Sequence, residues 1–163
     1  QTGLINSLRN IEVIAWMSLI FAILLYFSDK TKVSEKLGAN FSIKSAIIIG
    51  LFQVISLIPG VSRSGITITA GRILGFDRFD STKISFFLAI PALSAASILG
   101  IYNVYKEGSP ELNFIAIIAV IFSFIFSYMT IALFLNFVKK FSLSIFVIYR
   151  VVISLILLTI VYL

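Results

Sequence analysis

Residues Pro59-Gly60-Val61-Ser62-Arg63-Ser64-Gly65-Ile66-Thr67 bring together the side chains of this sequence best suited to chemistry. They stand between two apolar runs, Ile47–Ile58 and Ile66–Leu74. The first departs from aliphatic and aromatic residues only at Gly50, Gln53 and Ser56, the second only at Thr67, Thr69, Gly71 and Arg72. An ionisable group at such a position is costly in hydrocarbon and marks a functional site. The residue types point to an anion. Gly60 and Gly65 let the backbone turn and come close to a ligand. Ser62, Ser64 and Thr67 supply hydroxyl donors, and Arg63 supplies a planar fork that matches two phosphate oxygens. A helix starting near Gly65 would aim free N–H groups and its positive dipole end at the loop. On that helix Ser64, Thr67 and Gly71 would share a small polar face, while Ile66, Ala70 and Ile73 would turn toward apolar surroundings. Phosphate fits best. A carboxylate or chloride bound between broken half-helices of a transporter is the other ligand of this kind.

Several chemistries are excluded. The spacing from Gly60 to Gly65 resembles a nucleotide-binding P-loop, but Ile66 stands where the lysine belongs and no strand precedes it. Histidine is absent, which removes the commonest general base and a histidine-nucleophile phosphatase. Cysteine is absent, so there is no thiolate nucleophile, disulfide or cysteine metal site.

The loop must be positioned by helices in a membrane. The 163 residues are 60% hydrophobic and only 12% charged, against about 25% in soluble domains. The mean hydropathy is +1.10. The net charge of +6 therefore reads as basic loops against anionic lipid and not as a nucleic-acid surface. Ile11–Phe27, Ile84–Tyr105, Asn113–Val138 and Ser142–Leu163 are each long enough to span, given a need for roughly 20 residues. Pro91 is expected to kink the second of these, with Asp80 or Ser81 as its N-cap, and Ser94, Ala95, Ala96, Ser97 and Gly100 suit close helix packing. Ser45–Ile58 and Ile66–Phe76 would be helices of about 21 and 17 Å, too short for a core of about 30 Å. With Pro59-Gly60 between them they predict a hairpin that dips in and returns, in preference to one kinked spanning helix.

Charge distribution tests this layout. With the hairpin, loops 28–44, 72–83 and 139–140 fall on one side and carry nine Lys/Arg, leaving Arg9 and Lys106 on the other. The positive-inside rule then places the basic loops in the cytoplasm. Residues 1–163 are expected to form a single all-α polytopic membrane domain of about four transmembrane helices and one re-entrant hairpin. The chain opens on Gln1 with no basic n-region, so no signal peptide is expected and the chain reads as part of a longer protein.

The loop resembles the PGxSRSGxT signature of the undecaprenyl-pyrophosphate phosphatases, the bacterial bacitracin-resistance membrane enzymes. Residues 49–53 (IGLFQ), 85–91 (SFFLAIP) and 146–150 (FVIYR) are similar to the same family's pattern, and the likeness runs over nearly the whole chain from about residue 11. The resemblance implies hydrolysis of a C55 polyprenyl diphosphate to the monophosphate and phosphate, recycling the lipid carrier of cell-wall synthesis at the bacterial inner membrane. It implies that Ser62, Arg63 and Thr67 are catalytic and touch the diphosphate; from their residue types, Gly60, Ser64, Gly65 and Gln53 are expected to bind around it. Ser62 is a nucleophile or a hydrogen-bond donor, with no adjacent base to decide for the first. Gln53 and Ser56 could face the site or bond between helices.

The chain also departs from the family, whose inverted repeat carries in its first half a motif with glutamates and a histidine. Here histidine is missing and Glu12 is the sole carboxylate in the predicted spans. The expectation is a C-terminal half without the acid/base groups, inactive alone, working with the missing N-terminal half, a second chain or a homodimer partner. A divalent cation, Mg or Ca, is implied by the resemblance alone; this chain encodes no metal site. Other roles compatible with the same residues are a polyprenyl-phosphate carrier or flippase and a non-catalytic membrane subunit. Simpler roles cover the remaining polar residues. Arg150, eight residues into the last span, can snorkel or pair with a helix-end carbonyl before it serves as a ligand. Asp77 and Asp80 suit capping better than magnesium, and Glu12 suits the interface.

Overall fold

The computed structural model describes residues 10–107 and 110–163. Among these, the helices in order are α1 (Ile11–Asp29), α2 (Leu37–Asn40), α3 (Ile43–Ile55), α4 (Arg63–Ile73), α5 (Arg78–Glu107), α6 (Pro110–Lys140) and α7 (Ser144–Tyr162). α1, α5 over Arg78–Asn103, α6 over Phe114–Lys140 and α7 are long and apolar enough to cross a membrane, and α3 is a shorter apolar helix. The architecture is all-α and polytopic, as composition requires. The expectations for residues 1–9, including Arg9, and for the turn at 108–109 lie outside the described residues.

α3 and α4 form the dipping hairpin. Its two ends lie together, with the rings of Phe41 and Phe76 5.9 Å apart, and the segment before α2 joins them: the amides of Ser34 and Glu35 both donate to the Gly75 carbonyl, at 3.0 and 3.1 Å. At the tip the chain turns through short i to i+3 bonds, from Ser56 to Gln53, Leu57 to Val54, Ile58 to Ile55 and Val61 to Ile58. Gly60 completes the reversal with φ +91°, a conformation that costs glycine nothing. A Cβ there would lie 2.9 Å from the Ile14 Cα and overlap its carbonyl, so the tip packs directly on the α1 backbone. α4 begins earlier than the expected start near Gly65. Ser62 is the N-cap, its hydroxyl accepting the Gly65 amide at 3.2 Å, which draws Arg63 and Ser64 into the first turn.

The basic loops gather at one end, as the charge argument requires. Asp29, at the end of α1, accepts Arg78 Nε and Nη2 at 2.7 and 3.0 Å and the Leu143 amide at 3.3 Å. At the opposite end Glu12 accepts the Tyr162 hydroxyl, tying the start of α1 to the end of α7. The cap expected at Asp80 or Ser81 is Asp77 instead: its carboxylate accepts the Asp80 amide at 2.7 Å and starts α5 at Arg78. Asp80 caps α2 through the Leu37 amide at 3.0 Å. α5 continues as one helix through Pro91.

Two apolar clusters hold the hairpin. Ala22 and Leu25 of α1, Ile68 of α4 and Val138, Leu143 and Val147 pack together, flanked by Phe134, Phe137 and Phe146. Ile49, Ala70, Phe76 and Ile84 pack on the other side of α4. Helix α4 is thus buried along most of its length, an interior position for an element too short to span. By contrast α5 beyond Ile90 and α6 from Phe114 to Leu133 are exposed almost throughout.

Candidate functional site

The site is built on the N-terminus of α4. An α-helix leaves its first amides without intrahelical acceptors. Ser62 satisfies that of Gly65, so the amides of Arg63 and Ser64 remain directed toward the loop with the positive end of the helix dipole. Ser62 Oγ lies 3.3 Å from Ser64 Oγ, placing two hydroxyls side by side. Among the described residues the Arg63 guanidinium makes no hydrogen bond or ion pair, while the other arginines of α4, α5 and α7 are committed.

Arg150 of α7 reaches the same loop. Its Nη2 donates to the Gly60 carbonyl at 2.7 Å, and Nη2 and Nε approach Ser18 Oγ of α1 at 3.3 and 3.4 Å. A Cβ on Gly65 would come within 3.0 Å of Arg150 Nη1, so this glycine makes room for the guanidinium. Arg150, Tyr149 and Ser62 line both cavities that flank the loop. One, of about 230 Å³, joins Ser62, Ser64, Gly65 and Arg150 to apolar walls from Leu25, Ile68, Phe134 and Phe146. The other, of about 370 Å³, opens between Ser18, Gly60 and Ile153. A polar floor of hydroxyls and a guanidinium under aromatic and aliphatic walls suits an anionic head joined to an apolar tail.

The profile of the family described as bacitracin resistance protein BacA matches residues 2–156. The chain belongs to the BacA family. A Pelagibacter ubique (strain HTCC1062) protein named undecaprenyl-diphosphatase is 53% identical over 163 residues, covering 99% of this chain and 63% of the relative. Proteins of the same name from Jannaschia sp. (strain CCS1) and Dinoroseobacter shibae are 38% and 40% identical, each match covering 99% of this chain and 60% of the relative. The chain thus spans about 60% of the length of these BacA relatives.

The predicted site residues of this BacA-family chain divide into three groups. Gly60, Ser62, Ser64 and Gly65 come together around Arg150. Arg63 stands in the first turn of α4, beside the two cavities without lining either. Thr67 and Gln53 are placed elsewhere. Thr67 is buried, its hydroxyl 2.7 Å from Ser85 Oγ of α5 and bonded back to the Arg63 and Ser64 carbonyls at 2.9 and 3.1 Å. Gly71 packs likewise on Ser81, so two members of the expected small polar face, Thr67 and Gly71, lie against α5. Ile66 and Ala70 are buried and Ile73 is half exposed. Ser56 turns back onto the Gln53 carbonyl at 2.6 Å, away from any helix partner.

Thr67 thereby acts on the loop through the two carbonyls of the first turn. Thr67→Val is expected to leave Ser85 without its buried partner, at a cost of about 1–3 kcal/mol. Thermal unfolding in detergent should show the loss, while Thr67→Ser should restore the melting temperature.

Arg150 and Tyr149 line both cavities and Ser18 lines one, beside the loop residues expected from sequence. The available signal was Arg150 itself, an arginine inside a 19-residue apolar helix, the same anomaly that exposes Arg63. A divalent cation does not fit the residues present. No carboxylate lines either cavity, and among the described residues no three His, Cys, Asp or Glu cluster. The donors at the loop are hydroxyls, amides and guanidinium groups, which suit an anion.

Proposed function

We propose that this chain supplies the phosphate-binding part of a polyprenyl diphosphate phosphatase that regenerates undecaprenyl phosphate at the bacterial inner membrane. The observation that carries it is the juxtaposition of Arg150, Ser62, Ser64 and the α4 N-terminus with the apolar walls of Leu25, Phe134 and Phe146. That arrangement is complementary to a diphosphate on a hydrocarbon chain, and the names of the relatives denote the matching activity.

In the reaction, water attacks the terminal phosphorus, the bond to the bridging oxygen breaks, and polyprenyl monophosphate leaves with orthophosphate as the second product. Arg63 and Arg150 hold the charge that grows on the phosphoryl and bridging oxygens, the dominant contribution in phosphoryl transfer. Ser62 serves as a hydroxyl donor, because its oxygen is engaged as the α4 cap and no base adjoins it. The proton-accepting carboxylates belong to the segment its relatives carry beyond the matched region, or to a second chain. The exposed Ser94, Ser97 and Gly100 on α5 and the bare length of α6 offer the surface on which that segment packs.

The test joins this chain to that segment, giving a complete protein, and measures orthophosphate release from a polyprenyl diphosphate in detergent. The complete protein should turn over and residues 1–163 alone should release none. Transport of labelled lipid phosphate across vesicles without hydrolysis would instead make this a carrier.

A further inference from the structure

The lysine-rich end of the bundle has a second cationic opening that the loop chemistry does not use. Arg72, in the last turn of α4, is buried. Its Nη1 donates to the Phe76 carbonyl at 2.7 Å, and its Nη2 to the carbonyls of Asp29 and Thr31 at 2.9 and 2.7 Å. These acceptors carry no net charge. The nearest carboxylate, Asp29, is already committed to Nε and Nη2 of Arg78 and to the Leu143 amide. Arg72 Nε is left 3.7 Å from Asp29 Oδ1 and, among the described residues, has no hydrogen-bond partner despite being buried. A buried polar atom in that state calls for a partner.

An opening of about 410 Å³ lies against this pair, lined by Arg72, Arg78, Lys139 and Asp77 with Phe79 and Val138 as apolar walls. Lys139 Nζ stands 4.3 Å from the centre of the Phe79 ring, which holds its charge at the rim. The Asp77 carboxylate is engaged in capping α5. Three cations thus face two carboxylates, Asp29 and Asp77, and one positive charge remains uncompensated. A partly buried excess charge of this kind is relieved by an anion, and guanidinium groups beside an ammonium favour phosphate oxygens.

We propose that this opening binds a phosphate group. The same chemistry is offered by the head of an anionic phospholipid and by inorganic phosphate. Arg72 lies nine residues along α4 from Arg63, about 14 Å of helix rise, so the opening is separate from the Ser62 loop. Occupancy would join the end of α1, the α4–α5 turn and the end of α6, bracing the base on which the hairpin stands.

The test uses the complete protein carrying Arg63→Ala, which weakens the loop toward phosphates, in uncharged detergent. Thermal unfolding is followed during titration with short-chain phosphatidylglycerol, short-chain phosphatidylcholine and inorganic phosphate. A saturable rise in Tm of about 3 °C is expected with phosphatidylglycerol or inorganic phosphate, and none with phosphatidylcholine. Lys139→Gln, at an exposed position, should weaken the apparent affinity about fivefold. Arg78→Lys, which keeps the charge but loses the fork, should weaken it as well. Lys30→Gln, at the same end but outside the opening, should leave it within about twofold. A response to phosphatidylglycerol alone identifies a headgroup site, and a response to inorganic phosphate identifies a free-anion site. The proposal is overturned by the absence of a saturable response to either, or by equal weakening in Lys30→Gln and Lys139→Gln. The readout is unfolding and not turnover, so failure here leaves the hydrolysis test untouched.

Discussion

In the complete protein, Arg63→Ala is expected to lower kcat/KM for a polyprenyl diphosphate about a thousandfold, or about 4 kcal/mol of transition-state stabilisation. The size follows from what Arg63 does and does not touch. Its guanidinium, at the first position of α4, has no internal partner among the described residues, whereas Arg72, Arg78 and Arg150 are each bonded to carbonyls or a carboxylate. Holding an uncommitted charge between apolar helices costs roughly 2.5–3.5 kcal/mol on insertion scales. That cost is sensible for a group reserved for a ligand. Removing it should therefore leave the melting temperature unchanged or slightly raised while activity collapses. The loss should fall on kcat more than on KM, since negative charge on the phosphoryl oxygens redistributes toward the transition state. Near-normal turnover in this variant would remove Arg63 from the reaction and with it the reading of the loop as a phosphoryl clamp.

Much of this layout was legible from local rules. Four long apolar runs became the long helices, and Pro59-Gly60 between two short ones became the hairpin tip, because proline and a left-handed glycine end helices whatever surrounds them. The grouping of basic loops was also readable, since it depends on counting charges along the chain. What escaped depends on partners distant in sequence. The α4 start shifted because Ser62 captured the Gly65 amide, moving Arg63 from loop to helix. Thr67 sits five residues into α4, yet its direction in the fold follows Ser85 on the next helix, a contact that no periodicity on α4 alone could name. Asp77 displaced Asp80 as the α5 cap because Asp80 had a better use at Leu37. In each case a tertiary contact chose among locally acceptable alternatives.

Arg150 is the largest such case, and its conservative variant is the sharpest test of the site. One guanidinium serves the Gly60 carbonyl through Nη2, approaches Ser18 through Nη2 and Nε, and brings Nη1 close to Gly65. It therefore fixes the hairpin tip against α1 and α7 and still presents donors to both cavities. Lysine keeps the charge but has a compact ammonium without the planar fork, so it cannot span Gly60 and Ser18 while facing an anion. Arg150→Lys is expected to insert and fold, and to lose about a hundredfold in kcat/KM, about 3 kcal/mol, with a rise in KM accompanying the fall in kcat because the loop is no longer held in register. Ser18→Ala removes only the 3.3–3.4 Å contacts and should cost no more than about 1 kcal/mol. The ordering separates two roles. If Arg150 merely anchored the tip, Arg150→Lys and Ser18→Ala would change stability and turnover in proportion. If its guanidinium also meets the diphosphate, Arg150→Lys must lose far more activity than stability, and only that outcome keeps α7 in the active site.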